Sequence, residues 1–130
     1  MAGENIELVR EVYRAVGERD MERVLAMIDE QVVLDVSAVA FEQGMYRGHE
    51  GIRRYFEETW EVADAYTFEV EDAVEVDDQV AVTQRVRVVG AGSGIEVSDT
   101  YGAVWHIVDG IATEIRLYPD PAEARRVVGA

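Results

Sequence analysis

The chain has 130 residues and 48% hydrophobic content, and its 27 acidic and 12 basic residues give a formal net charge of −15. This length fits one domain, residues 1–130, with a substantial core. The acidic surface excludes nucleic acid and anionic membranes as expected partners. The chain has no cysteine, and all its basic residues are arginine. Disulfides, thiolate nucleophiles, cysteine-bound metals and lysine Schiff bases are therefore excluded.

The amino terminus is acidic and lacks the basic start and apolar core of a secretory signal. No apolar run approaches the roughly 20 residues that a membrane-spanning helix needs. We therefore expect a soluble, cytoplasmic protein.

Three helices are predicted in the first half of the chain. Asn5 is a plausible cap for the first helix and Gly17 ends it, while Asp20 caps the second. Gly48 and His49 open the third. Apolar residues recur at helical spacing in each helix. A short strand, Val32 to Val36, follows the second helix, and residues 37–48 have no clear period and indicate a loop or lid.

After the third helix, the apolar residues recur at strand spacing instead of helical spacing. Tyr66 to Val76 and Gln79 to Val89 are predicted strands joined by a turn, and 90–94 is a glycine-rich turn. Ile95 to Asp120 is a hairpin around Asp109-Gly110, a strong hairpin signal. The tail, 121–130, is a short helical turn. Helices followed by hairpin strands predict an α+β domain with helices on one face of a curved antiparallel sheet.

One face of the first hairpin strand is apolar except for Asp99. Every second residue of a strand lies on the same face, and on this face they are Ile95, Val97, Asp99, Tyr101, Ala103, Trp105 and Ile107. A carboxylate on an apolar face has a hydrogen-bond partner, is partly hydrated, or takes part in chemistry. Asp99 is therefore the first candidate for a catalytic residue.

Other polar motifs favour structural roles. The glycine cluster at 90–94 matches neither a dinucleotide fingerprint nor a nucleophile elbow. His49 and His106 are far apart in sequence, so no metal site is predicted. Asp35 should face outward from its strand, Asp72 indicates a bulge or an exposed strand end, and Asp120 caps the terminal turn.

Aromatic residues are numerous for a small core and indicate either core packing or a ligand pocket with a few polar groups. The expected ligand-binding residues are Phe41, Tyr46, Tyr55, Trp60, Trp105 and Leu117.

The order of motifs resembles the SnoaL-like branch of the nuclear-transport-factor-two-like superfamily. The matching stretches are VYRAVGERDMERVLAMI, DEQVVLDV, YRGHEGIRRYFEETW and AVWHIVDGIATEIRLYPDPAEA. The resemblance implies a cone-shaped antiparallel sheet wrapped around three N-terminal helices and enclosing an apolar pocket. It also implies a homodimer through the outer sheet face and no cofactor. Relatives include polyketide cyclases, ketosteroid isomerase, epoxide hydrolases and non-catalytic binding proteins.

The resemblance also allows the catalytic residues of ketosteroid isomerase to be compared one at a time. Its tyrosine falls on Val12, next to Tyr13; its base falls on Val36, next to Asp35; and its neutral acid falls on Ala103. All three positions are apolar here, so the isomerase set is absent in this register. The cyclase type, an aspartate near an aromatic pocket, fits Asp99 with Tyr101 loosely.

Two functions follow from these observations. The first is a cofactor-free acid–base enzyme acting on a small hydrophobic substrate, with Asp99 as proton acceptor and Tyr13 or Tyr101 as hydrogen-bond donor. The second is a non-catalytic protein that binds an apolar ligand or acts through a dimer surface. The sequence is compatible with both functions.

Overall fold

Three helices form the layer that covers one face of the sheet. The computed structural model describes residues 3–39, 44–61, 63–90 and 92–130. The helices are α1 (Glu4–Gly17), α2 (Met21–Ala26) and α3 (Gly48–Glu61). The predicted end of α1 at Gly17 and the Asp20 cap are confirmed, since the Asp20 side chain accepts a hydrogen bond from the Arg23 backbone N–H. The predicted cap at Asn5 is wrong, because Gly3 precedes the helix with φ 98°.

Six strands form one curved, unclosed sheet. They are β1 (Ile28–Asp35), β2 (Met45–Arg47), β3 (Ala63–Val76), β4 (Gln79–Gly90), β5 (Glu96–Val108) and β6 (Ile111–Tyr118), in the order β2-β1-β6-β5-β4-β3. The predicted α+β class is confirmed. The expectation of a wholly antiparallel sheet is wrong for one pair, because β1 runs parallel to β6. The long connection through α3 and four strands permits this parallel pairing.

A tight turn between β5 and β6 and a bulge in β3 help to set the register of the long strands. The predicted turn at Asp109-Gly110 is confirmed, with φ of 51° and 76°. The predicted bulge is also confirmed, because the pairing of β3 with β4 shifts between Val70 and Asp72. The shift keeps Ala73 in the main core with Val70 and turns Val76 to the outer face.

The sheet is covered on both faces, but unequally. The main core lies between its inner face and α1 to α3. The last helix, α4 (Pro121–Val128), is capped by Asp120 as predicted and packs Ala124 and Val128 on the outer face. Gly102 permits this docking, since a Cβ there would lie 2.8 Å from Pro121 Cα. The prediction that all helices share one face is therefore wrong for α4.

The segment predicted as a loop between β1 and α3 contains β2, which pairs with β1 through Tyr46 and its two neighbours.

Among the described helices, none is long and apolar enough to span a membrane.

Candidate functional site

A cavity of about 60 Å³ lies between the helices and the inner face of the sheet. Every helix of the inner layer and every strand except β2 contributes to its wall. None of the residues that line it carries a charge. The lining residues are Val12, Tyr13, Val16, Val24, Ile28, Leu34, Ile52, Tyr55, Phe56, Phe68, Gln84, Trp105, Ile115 and Leu117.

Three polar groups meet at one wall of this cavity. The Tyr13 hydroxyl donates a hydrogen bond to Gln84 Oε1. Gln84 is 2% exposed and is the one buried polar residue among those described. Trp105 Nε1 is also buried; it lies next to the Tyr13 hydroxyl but forms no hydrogen bond of ordinary geometry among the described residues. A buried N–H without an acceptor costs free energy, so this donor is the chemically unsatisfied group of the cavity.

The environment of the cavity keeps its phenols neutral. Burial raises the pKa of Tyr13, and the nearby Trp105 indole only partly opposes this shift. Burial also raises the pKa of Tyr55, with smaller contributions from the neighbouring tyrosines. Both phenols therefore remain hydrogen-bond donors or acceptors at neutral pH and do not act there as charged bases.

These shifts predict a loss of stability in alkaline solution. The folded-state pKa of Tyr13 lies above the ordinary tyrosine value of 10.0. The unfolded chain therefore loses this proton first, and folding stability falls as the pH rises above 10. Above pH 10, each phenol with a raised pKa should lower the free energy of unfolding by about 1.4 kcal/mol per pH unit. In denaturant unfolding between pH 10 and 11.5, the free energy of unfolding of Tyr13→Phe should fall less steeply than that of the native protein, by about 1.4 kcal/mol per pH unit. The chain has no lysine or cysteine, and its other five tyrosines are the same in both proteins, so the difference between the two declines isolates Tyr13.

Polar residues continue from the cavity toward the rim of the sheet. Gln84 is the cross-strand partner of Tyr101, and Asp99 lies one inner-face position further along β5, opposite Val86. Partial burial and the Asp99 carboxylate raise the pKa of Tyr101. We call Tyr13, Gln84, Tyr101 and Asp99 the polar strip. It brings the three predicted catalytic residues onto one side of the inner face.

Asp99 occupies the exposed end of this strip. The inner face assigned to it by alternation is correct, because Ala103 and Trp105 on the same face are buried in the main core. Of the alternatives for a carboxylate on an apolar face, hydration and a hydrogen-bond partner both hold, because Asp99 is exposed and its Oδ1 accepts a hydrogen bond from Thr100 N at 2.8 Å. β5 extends beyond the helices at this end. Alternation therefore predicts which face of the sheet a residue lies on, but not whether a helix covers that face.

The predicted ligand-binding residues occupy different positions. Tyr55, Trp105 and Leu117 line the cavity. Tyr46 and Trp60 lie behind this wall, where Tyr46 packs edge-on against Tyr55 and Trp60 stacks on Phe56. Phe41 lies outside the described residues.

The remaining acids and both histidines lie away from the cavity. Asp35 faces outward, as predicted, and forms an ion pair of 3.3 Å with Arg116. His49 Nε2 lies 2.9 Å from the Ile28 carbonyl oxygen, and His106 lies on the outer face opposite Glu114. No group of side chains suited to a metal ion occurs among the described residues.

The sequence contained a signal for Gln84 that the sequence analysis did not use. Gln84 interrupts the alternating face of Val80, Val82, Val86 and Val88 just as Asp99 interrupts its own strand face. Gln84 has buried neighbours on both sides of it along this face. It is therefore more deeply buried than Asp99.

The comparisons with known proteins agree with this architecture. The family model described as "SnoaL-like domain" matches residues 9–115, so the chain belongs to the SnoaL-like family. An NTF2-like protein of unknown function from Burkholderia pseudomallei is 22% identical, with a TM-score of 0.80 over all of both chains. No curated protein sequence matches the chain.

Two of the similar structures were solved with small molecules. TerC, co-crystallised with polyporic acid, is 21% identical with a TM-score of 0.79 over 98% of this chain and 99% of its own. A protein of ketosteroid isomerase-like fold from Catenulispora acidiphila, in complex with trimethylamine, is 12% identical with a TM-score of 0.77 over 95% and 92%. These likenesses establish the fold of the chain.

Proposed function

We propose that this protein binds a small, largely apolar molecule that carries a hydrogen-bond acceptor such as a carbonyl oxygen. The observation behind the proposal is the unpartnered Trp105 Nε1 beside the Tyr13–Gln84 pair in an otherwise apolar cavity. A ligand oxygen there would accept the indole N–H, and the Gln84 amide carries further donors. Pockets of this kind combine an apolar wall with a few polar groups that orient the ligand.

The charge and size of the cavity narrow the ligand class. The lining has donors but no carboxylate, so a neutral acceptor suits it better than a cation that would lack a counter-charge. A volume of about 60 Å³ is less than half of the roughly 150 Å³ of a cavity that takes up benzene. The ligand is therefore very small, or the aromatic wall moves when it enters. The co-crystal structures of TerC and the Catenulispora protein support a ligand-binding role for such a fold.

The substitution Trp105→Phe tests the proposal, because it removes the N–H and keeps an aromatic ring. With acetone as the probe, a ketone small enough for a cavity of this volume, we expect titration to show binding to the native protein and about tenfold weaker binding to this variant. The matched control is Trp60→Phe, which removes the buried indole N–H behind the cavity wall. Equal affinity for Trp105→Phe and the native protein would contradict the proposed role of Trp105.

The second candidate function is a cofactor-free acid–base enzyme of the cyclase or isomerase kind. The polar strip favours it, because a substrate longer than the cavity would extend along Tyr101 to Asp99, the proposed proton acceptor. Asp99→Asn should then abolish turnover of such a substrate and leave its binding intact. Unchanged turnover would remove Asp99 from the mechanism.

A homodimer through the outer sheet face and a cytoplasmic location remain part of this proposal.

A further inference from the structure

A second concave site lies on the outside of the molecule, on the opposite side of α3 from the cavity. It is a groove of about 480 Å³ between α3 and β2, the edge strand of the sheet. Arg47 of β2 and Arg53 and Arg54 of α3 line it, together with Glu50 and Glu57. We call this site the arginine groove. It shares no lining residue with the cavity.

The arginine groove has the opposite charge from the rest of the protein. Three arginines against two glutamates give it a local charge of 3 − 2 = +1, whereas the whole chain carries −15. A concave surface with an excess of positive charge attracts anions, because its low-dielectric walls focus the field. This local reversal favours an anion at one place on an acidic protein.

The arginines of the groove differ in how they are held. The Arg54 guanidinium lies 5.3 Å from the centre of the Tyr46 ring and 3.9 Å from Glu58. Stacking on the ring fixes its orientation before any ligand arrives. Within the described part of the chain, neither Arg47 nor Arg53 has a carboxylate oxygen within 4.0 Å, although two glutamates line the same groove. Their donors remain available to a ligand.

We propose that the arginine groove binds a small molecule through an oxyanion, either a carboxylate or a phosphate group. The planar guanidinium forms paired hydrogen bonds with both groups, and these bonds are stronger than neutral ones. A volume of this size suits a metabolite. Glu50 and Glu57 would repel an extended polyanion, so a single oxyanion on an otherwise neutral or hydroxylated molecule fits best. This site is independent of the cavity and of the function proposed for it.

The arginine side-chain Nε–H signals in a ¹H–¹⁵N spectrum test the proposal directly, since the chain has only 12 arginines and no lysine. We propose titrating the intact protein at low ionic strength with inorganic phosphate and, separately, with succinate, against sodium chloride at equal ionic strength. The signals of Arg47, Arg53 and Arg54 should shift and saturate. A response to phosphate alone or to succinate alone assigns the oxyanion, and a response to both supports the shared chemistry.

Two charge-matched variants complete the test. Arg53→Gln should weaken binding of the responding anion about tenfold, through loss of charge-assisted hydrogen bonds. Arg126→Gln removes an exposed arginine of α4 outside the groove and should leave the affinity unchanged. The proposal is overturned if neither anion gives saturable shifts, if Arg126 shifts as strongly as the groove arginines, or if both variants weaken binding equally.

Discussion

Trp105→Ala should lower the free energy of unfolding by about 3–5 kcal/mol, the usual range for removal of a buried Trp or Phe side chain. The indole is 4% exposed, packs 5.7 Å from the Tyr13 ring, and forms part of the cavity wall. Its removal would join the new void to the existing cavity. Denaturant unfolding monitored by circular dichroism measures the loss.

Added indole should partly restore this stability, because a ligand that binds only the folded state stabilises it by mass action. At 100 times the dissociation constant, the gain should be about 2.7 kcal/mol. Trp60→Ala is the matched control, since Trp60 is only partly buried and does not line the cavity. A loss below about 1 kcal/mol for Trp105→Ala, or an equal loss for both variants, would contradict the central place of Trp105 in the core.

Gln84→Leu should cost about 1–3 kcal/mol, although leucine is close to glutamine in size. The reason is that the Tyr13 hydroxyl would lose its acceptor in a buried environment. Tyr13→Phe alone should also destabilise the protein, because it leaves the Gln84 carbonyl oxygen without its donor. The double variant replaces both polar groups by apolar ones and should be nearly as stable as the native protein.

The double-mutant cycle isolates this coupling. We expect the double variant to be less destabilised than the sum of the single variants by 0.5–3 kcal/mol, roughly the range for residues in one hydrogen-bond network. Additive losses in denaturant unfolding would mean that Tyr13 and Gln84 do not form a coupled pair in solution.

The sequence predicted the elements whose periodicity is local. α1 and α3 follow from apolar residues at helical spacing, and the β5–β6 hairpin follows from Asp109-Gly110. At Asp72, where a charged residue broke an alternating face, a bulge was one of the two predicted explanations, and the structure has it. Such features depend on near neighbours in the chain, which a sequence displays directly.

Features that depend on distant partners were not predicted. β2 has only three residues and exists because it pairs with β1. The parallel pairing of β1 with β6 joins segments about 80 residues apart, and the position of α4 depends on the outer face of β5. Neither pairing leaves a local pattern.

The candidate site shows the same limit. Alternation placed Asp99 and Trp105 on one face correctly, but Trp105 is buried and Asp99 is exposed. The difference arises from where the helices cease to cover β5, and this boundary is set by packing between segments far apart in sequence. Gln84 had a local signal, yet its pairing with Tyr13 depends on the docking of α1 on β4.

The indole N–H resonances of the two tryptophans provide the most direct test of the proposed binding site. We propose titrating the native protein with acetone and, in parallel, with isobutene, which has nearly the same shape but no carbonyl oxygen. The account predicts a saturable downfield shift of the Trp105 Nε1–H signal with the ketone only, and little change at Trp60, which lies behind the wall. Equal responses to both probes, or no saturable shift at Trp105 with the ketone, would contradict an acceptor-binding cavity.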